Sequence, residues 1–119
     1  MITFEKVTVE NESVVKEMFK SHSLGEKKVQ YCVKVDDTYI GVIDYSVQEE
    51  LAVLSQLIIH FDYQGYGYGT NTYFTFEEMM QQRNVKEIKV LQEKLTEKAK
   101  FFIESFGFAS EGEEYVKKI

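Results

Sequence analysis

At 119 residues, with 44% hydrophobic and 14% aromatic content, the chain suits one globular domain over residues 1–119, and its composition excludes disorder. No apolar run approaches the roughly 20 residues of a membrane span, and Met1-Ile2-Thr3-Phe4-Glu5 lacks a signal-type start, so a cytoplasmic protein with no membrane partner is expected. Twenty acidic against fourteen basic residues, a formal charge of −6, disfavour nucleic acid and suit a cationic amine as partner.

Residues 2–9 alternate Ile2, Phe4, Val7 and Val9 with polar residues and predict a first strand. Asn11 or Ser13 then caps a helix whose apolar face is Val14, Val15, Met18 and Phe19. After a loop over residues 21–28, residues 29–35 and 38–47 flank Asp36-Asp37 and predict an antiparallel hairpin. Cys32 lies inside this hairpin as the sole cysteine, which excludes an internal disulfide and fits core packing. His22 and His60 are too few and too separated for a metal site, so no metal is expected.

Residues 51–59 are almost continuously apolar and predict a central strand covered on both faces. Then comes Gln64-Gly65-Tyr66-Gly67-Tyr68-Gly69-Thr70, followed by a helix over residues 71–83 and a parallel strand over 86–91, closing a βαβ unit. A second helix over 96–106 puts Ala99, Phe102, Ile103 and Phe106 at i, i+3, i+4 and i+7 and stops at Gly107. The rest makes a strand pair or one bent strand, with Gly112 in its turn.

Strand, glycine loop and helix in that order make an anion site. Glycines let the backbone approach a ligand, and the first helical turn points unpaired N–H groups at it. A Walker loop needs a Gly-Lys-Ser/Thr ending, and this segment has no lysine. A Rossmann loop needs G-x-G-x-x-G after the first strand, and here G-x-G-x-G occurs deep in the chain.

The Q-x-x-G-x-G pattern of Gln64, Gly67 and Gly69, with Thr70 after it, resembles the diphosphate-binding segment of the GNAT superfamily of acyl-CoA-dependent N-acyltransferases. Ala99-x-x-Phe102-x-x-x-x-Gly107-Phe108 resembles that family's second motif, at the family's spacing. The resemblance implies an α/β (α+β) fold: a mixed, mostly antiparallel twisted sheet of six or seven strands, about three helices and a splayed central strand pair. It implies acetyl-CoA as co-substrate, with main-chain groups near Leu57 and Ile59 on the pantetheine arm. Gln64, Gly65, Tyr66, Gly67, Tyr68, Gly69 and Thr70 would take the diphosphate, and Thr96 and Phe102 would lie beside the arm.

Three positions depart from the family pattern, the mildest being Thr96, where the family often has an asparagine that touches the pantetheine arm. Ile103 replaces the tyrosine that donates a proton to the leaving thiolate, and Val53 replaces a glutamate eleven residues ahead of the glutamine. His60 and Tyr115 are then the candidate base and acid, with Tyr31 a further hydroxyl and the adjacent Glu49 and Glu50 read as solvated turn residues. Two functions fit: an N-acetyltransferase working mainly by proximity, or a CoA-binding module without turnover. Residues 10–28 have room for one helix where the family usually has two, so the acceptor side is more open. A peptide amine or a small amine then fits, and a second copy in a homodimer is one way to complete the wall.

Overall fold

Alternating apolar residues broken by acidic turns shape the first half of the sheet. The computed structural model describes residues 1–119, with every side chain but that of Lys94. Its elements are β1 (Ile2–Lys6), α1 (Glu12–Ser21), β2 (Tyr31–Val35), β3 (Thr38–Gln48), β4 (Leu51–Ile59), α2 (Tyr68–Gln82), β5 (Glu87–Leu91), α3 (Glu97–Ser105), β6 (Ala109–Glu111) and β7 (Glu114–Lys118). The seven strands run β1-β2-β3-β4-β5-β7-β6. β4 and β5 pair parallel, while β1–β2, β2–β3, β5–β7 and β6–β7 pair antiparallel. This is the mixed, mostly antiparallel sheet that the resemblance implied. None of the described helices is long and apolar enough to cross a membrane.

Two compact units make up the chain. The first holds residues 1–45 and 56–78, the second residues 46–55 and 79–119.

In the first unit, β1 stops at Lys6, short of the expected Val9, because Asn11 bends the chain back. Its Oδ1 accepts the Thr8 N–H at 2.7 Å and its Nδ2 donates to the Lys6 carbonyl at 3.0 Å, leaving Val9 exposed. Asn11 therefore precedes α1 without capping it through its side chain. β2 starts at Tyr31, two residues later than expected, because the Gln30 N–H goes to the Asp44 carboxylate at 2.9 Å. Val15, Met18 and Phe19 of α1 pack with Val29, Cys32 and Val42, and burial pushes the Cys32 thiol up to about 11, with the nearby Glu5 charge adding to it. Such a thiol stays protonated near neutral pH.

Glu5 joins α1's entry to the sheet. The Tyr39 hydroxyl and Asn11 Nδ2 (2.9 Å) both donate to its Oε2, and Lys34 Nζ lies 3.5 Å from its Oε1. The Tyr39 bond first, then that from Asn11, holds the Glu5 carboxyl below its ordinary range, and the same bond holds the Tyr39 phenol above its own. A depressed carboxyl contributes stability above its unfolded value and loses it as pH falls through the lower folded one. A raised phenol contributes below its unfolded value and loses that as pH climbs through the higher folded one. Urea melts of Glu5→Gln should therefore match wild type more closely at acid pH than at pH 7.

α2 packs its inner face on rings. Tyr31 stacks on Tyr45 at 5.4 Å, Tyr45 meets Phe76 at 4.9 Å, and Tyr73 lies 6.2 Å from Phe76. The Tyr73 hydroxyl donates to Glu77 Oε1 at 2.8 Å, while the fully buried Thr72 Oγ1 has no hydrogen-bond partner among the described residues. Valine keeps the branched shape without that hydroxyl. Thr72→Val should stabilise the chain by about 1 kcal/mol in urea denaturation.

β3 and β4 meet through the Glu49–Glu50 turn, with Glu49 at φ 57°. Gly41 of β3 lies so close to β4 that a Cβ there would sit 2.1 Å from the Ile58 carbonyl oxygen. β4 is not covered on both faces as expected: Ser55 is exposed, and Gln56, Leu57 and Ile58 are half-buried, in the half of the strand beyond Val53, where its ladder with β5 ends.

In the second unit, β4 pairs with β5 from Leu51↔Glu87 to Val53↔Lys89. Thr96 caps α3 by accepting the Ala99 N–H at 3.1 Å, and Gly107 at φ 98° follows the helix. Of the two expected forms of the C-terminal segment, the strand pair is the one found, β6 and β7 meeting around Gly112 at φ 63°.

Candidate functional site

The exit of β4 determines what the glycine loop can reach. The His60 N–H donates to the Ile40 carbonyl of β3 at 2.8 Å. In a planar trans peptide the carbonyl of the preceding residue points the opposite way, so the Ile59 carbonyl faces the edge of β4 away from β3. Leu57, two residues earlier, presents its main-chain groups on that same edge. The ladder along this edge ends at Val53.

After Ile59 comes a single 3-10 turn, Phe61–Tyr63, then Gln64 and the glycines. Gly65 and Gly67 take φ of 88° and 81°, in the left-handed region that favours glycine, and a Cβ on either would meet nothing within 4 Å. The helix starts at Tyr68, three residues earlier than expected, because the turn at Gly67 already lets its carbonyl accept the Asn71 N–H at 3.0 Å. The first-turn N–H groups of Tyr68, Gly69 and Thr70 therefore have no acceptor inside α2. Tyr66 is 70% exposed, its ring 6.2 Å from that of Tyr68. The turn thus combines open space, two left-handed glycines and outward amides, a geometry that accepts an anion by backbone alone.

Other named residues are engaged elsewhere. Gln64 turns back from the loop, its Nε2 3.2 Å from the Ile59 carbonyl. His22 Nε2 reaches the same oxygen at 2.7 Å. Nothing in the sequence marked His22 as a neighbour of a residue 37 positions away.

His60 Nδ1 accepts the Asp62 N–H at 3.0 Å and its Nε2 lies 3.5 Å from Glu17 Oε1. It lines a cavity of about 410 Å3 with Ser13, Val14 and Met18 of α1, so the imidazole is directed at the helix. A second cavity, of about 430 Å3, runs beside Tyr68, Asn71, Phe74 and Thr75 of α2.

In the second unit, the Tyr115 hydroxyl donates to Glu104 Oε1 at 2.8 Å, and that bond, with burial, raises its pKa. Ile103 is buried at 8% exposure and Phe102 is 39% exposed, its ring 4.6 Å from Phe106. The Thr96 hydroxyl oxygen is committed to its cap. No group of three or more metal-ligating side chains occurs among the described residues.

A sequence profile described as the acetyltransferase (GNAT) family matches residues 3–108. Among solved structures, an acetyltransferase from Thermus thermophilus superposes with a TM-score of 0.80 at 18% identity, covering 100% of this chain and 97% of that one. A PaiA N-acetyltransferase from Thermoplasma acidophilum in complex with coenzyme A gives 0.76 at 15% identity, covering 100% and 99%. Naa50 from Arabidopsis thaliana, in complex with the bisubstrate analogue CoA-Ac-MVNAL, gives 0.69 at 16% identity, covering 97% and 95%. A search of curated proteins finds no match.

Proposed function

Because the chain belongs to the acetyltransferase (GNAT) family, we propose that it transfers an acetyl group from acetyl-CoA to a primary amine. The observation that carries this is the turn itself: Gly65 and Gly67 in left-handed conformation, open space above them, and the first-turn amides of α2 directly after. Gly65 to Thr70 would hold the diphosphate and the Leu57 and Ile59 main chain the pantetheine arm. Acetyl-CoA supplies the activated thioester. The chain supplies placement, and holding two reactants in line removes about 7–11 kcal/mol of barrier.

Neither named acid–base candidate is needed for this reading. A phenol whose pKa is raised by Glu104 donates its proton reluctantly, so Tyr115 is a poor acid for a departing thiolate. Tyr115→Phe should keep kcat within about threefold while costing about 1 kcal/mol of stability for the lost hydrogen bond. A loss of about a hundredfold in kcat would instead make Tyr115 the proton donor. The formal charge of −6 favours a cationic acceptor, a small amine or the amino group of a peptide.

Acetyl-CoA incubated with a panel of amines, with free thiol followed, tests the reading directly. Acceptor-dependent thiol release is expected. A second reading, a CoA-binding module without turnover, draws on Ile103 and Val53, apolar where the family pattern has proton-transfer groups. Calorimetry showing CoA binding, with no thiol released for any amine, would select it.

A further inference from the structure

The Ile59 carbonyl is doubly occupied. A carbonyl oxygen only accepts, so His22 Nε2, at 2.7 Å, must carry its proton toward it and cannot also accept from Gln64. The Gln64 amide, 3.2 Å from His22 Nε2, therefore gives its hydrogen to the same carbonyl, also at 3.2 Å. Both lone pairs are used. Yet this carbonyl faces the open edge of β4, where a ligand held along the strand would place its own amide.

The two donors are not held equally. His22 follows the last turn of α1, where its neighbour Ser21 accepts the Phe61 N–H at 3.4 Å and donates to the Met18 carbonyl at 2.7 Å. Gln64 is exposed, makes the longer bond and sits immediately before the anion-accepting turn. It is the donor less firmly held, and a diphosphate bound at its own loop would offer it an oxygen to turn to.

We propose that Gln64 is a displaceable latch that makes the chain selective for an intact pantetheine diphosphate over either half of it. This rests on the acetyl-CoA reading above. A ligand amide replaces Gln64 on the Ile59 carbonyl, and Gln64 moves to the diphosphate. A ligand with both groups gains one net hydrogen bond. Pantetheine alone merely exchanges one bond for another. A nucleoside diphosphate alone draws Gln64 off Ile59 without replacing it, again with no net gain.

The test compares coenzyme A, pantetheine and ADP on wild type and Gln64→Leu, each titrated against the full chain with the backbone amide NMR shifts of Leu57 to Thr70 as readout. Gln64→Met serves as a second variant should leucine disturb folding. Removing the latch is expected to tighten pantetheine binding about two- to tenfold, the worth of one hydrogen bond, while coenzyme A and ADP change by less than about twofold. Weakening of all three ligands would show a purely structural loop residue and overturn the latch. Weakening of coenzyme A and ADP with pantetheine unchanged would show an ordinary phosphate contact and overturn it too, as would pantetheine leaving these amides unshifted. Failure of wild type to bind coenzyme A at all is a different result, which removes the acetyl-CoA reading itself.

Discussion

Gly41→Ala loses about 3 kcal/mol of stability, a fall in melting temperature of more than about 10 °C. The added methyl carbon would sit 2.1 Å from the Ile58 carbonyl oxygen and 3.1 Å from its carbon, both backbone atoms, so no side-chain rotation relieves the clash. β3 and β4 must separate locally instead. Since Ile58 lies between Leu57 and Ile59, the two residues proposed to hold the pantetheine arm, the variant should also lose affinity for coenzyme A under conditions where it stays folded. Thermal denaturation followed by circular dichroism measures the first effect and calorimetry the second. A melting temperature within about 3 °C of wild type, less than about 1 kcal/mol, would mean that the strands do not approach this closely.

Gly67→Val has the opposite profile, with ligand affinity lost and the fold kept. A β-branched residue at φ 81° is strained by about 2 kcal/mol, yet a Cβ there meets nothing within 4 Å, so no packed neighbour has to move. The turn relieves its strain by rotating toward negative φ, and the amides of Gly67 and Tyr68 then no longer converge on one point. Coenzyme A should bind about thirtyfold more weakly, which is the strain energy expressed as affinity. Calorimetry on the variant decides it, with an unchanged far-ultraviolet spectrum as the control.

Local patterns proved legible wherever neighbouring residues settle the outcome. The bounds of β4 follow from a run that is apolar except at Ser55 and Gln56, and the chain reversal near the C-terminus from the glycine at its turn. That a helix follows Gly65 and Gly67 and that Ile103 faces the core were readable for the same reason, although the helix begins at Tyr68 and takes in Gly69. Side-chain commitments across the fold were not. Asn11 looked like a helix cap because its residue type fits that position, but it also reaches Glu5 and the Lys6 carbonyl, partners that exist only once β1 is formed. Gln64 carries a motif that points to phosphate, but the oxygen that it meets is positioned by β4 and shared with a histidine from the end of α1. Tyr115 offered a hydroxyl, and Glu104 takes it.

Ten residues make α1 too short to hold a helical shape by its own cooperativity. Its C-terminal end is fastened through Ser21 and His22 to the peptide groups flanking His60. Breathing of the helix end and fraying of the strand end are therefore one event. In native-state hydrogen exchange, the amides of the last turn of α1 and that of Phe61 should open with a shared free energy, as a single cooperative segment.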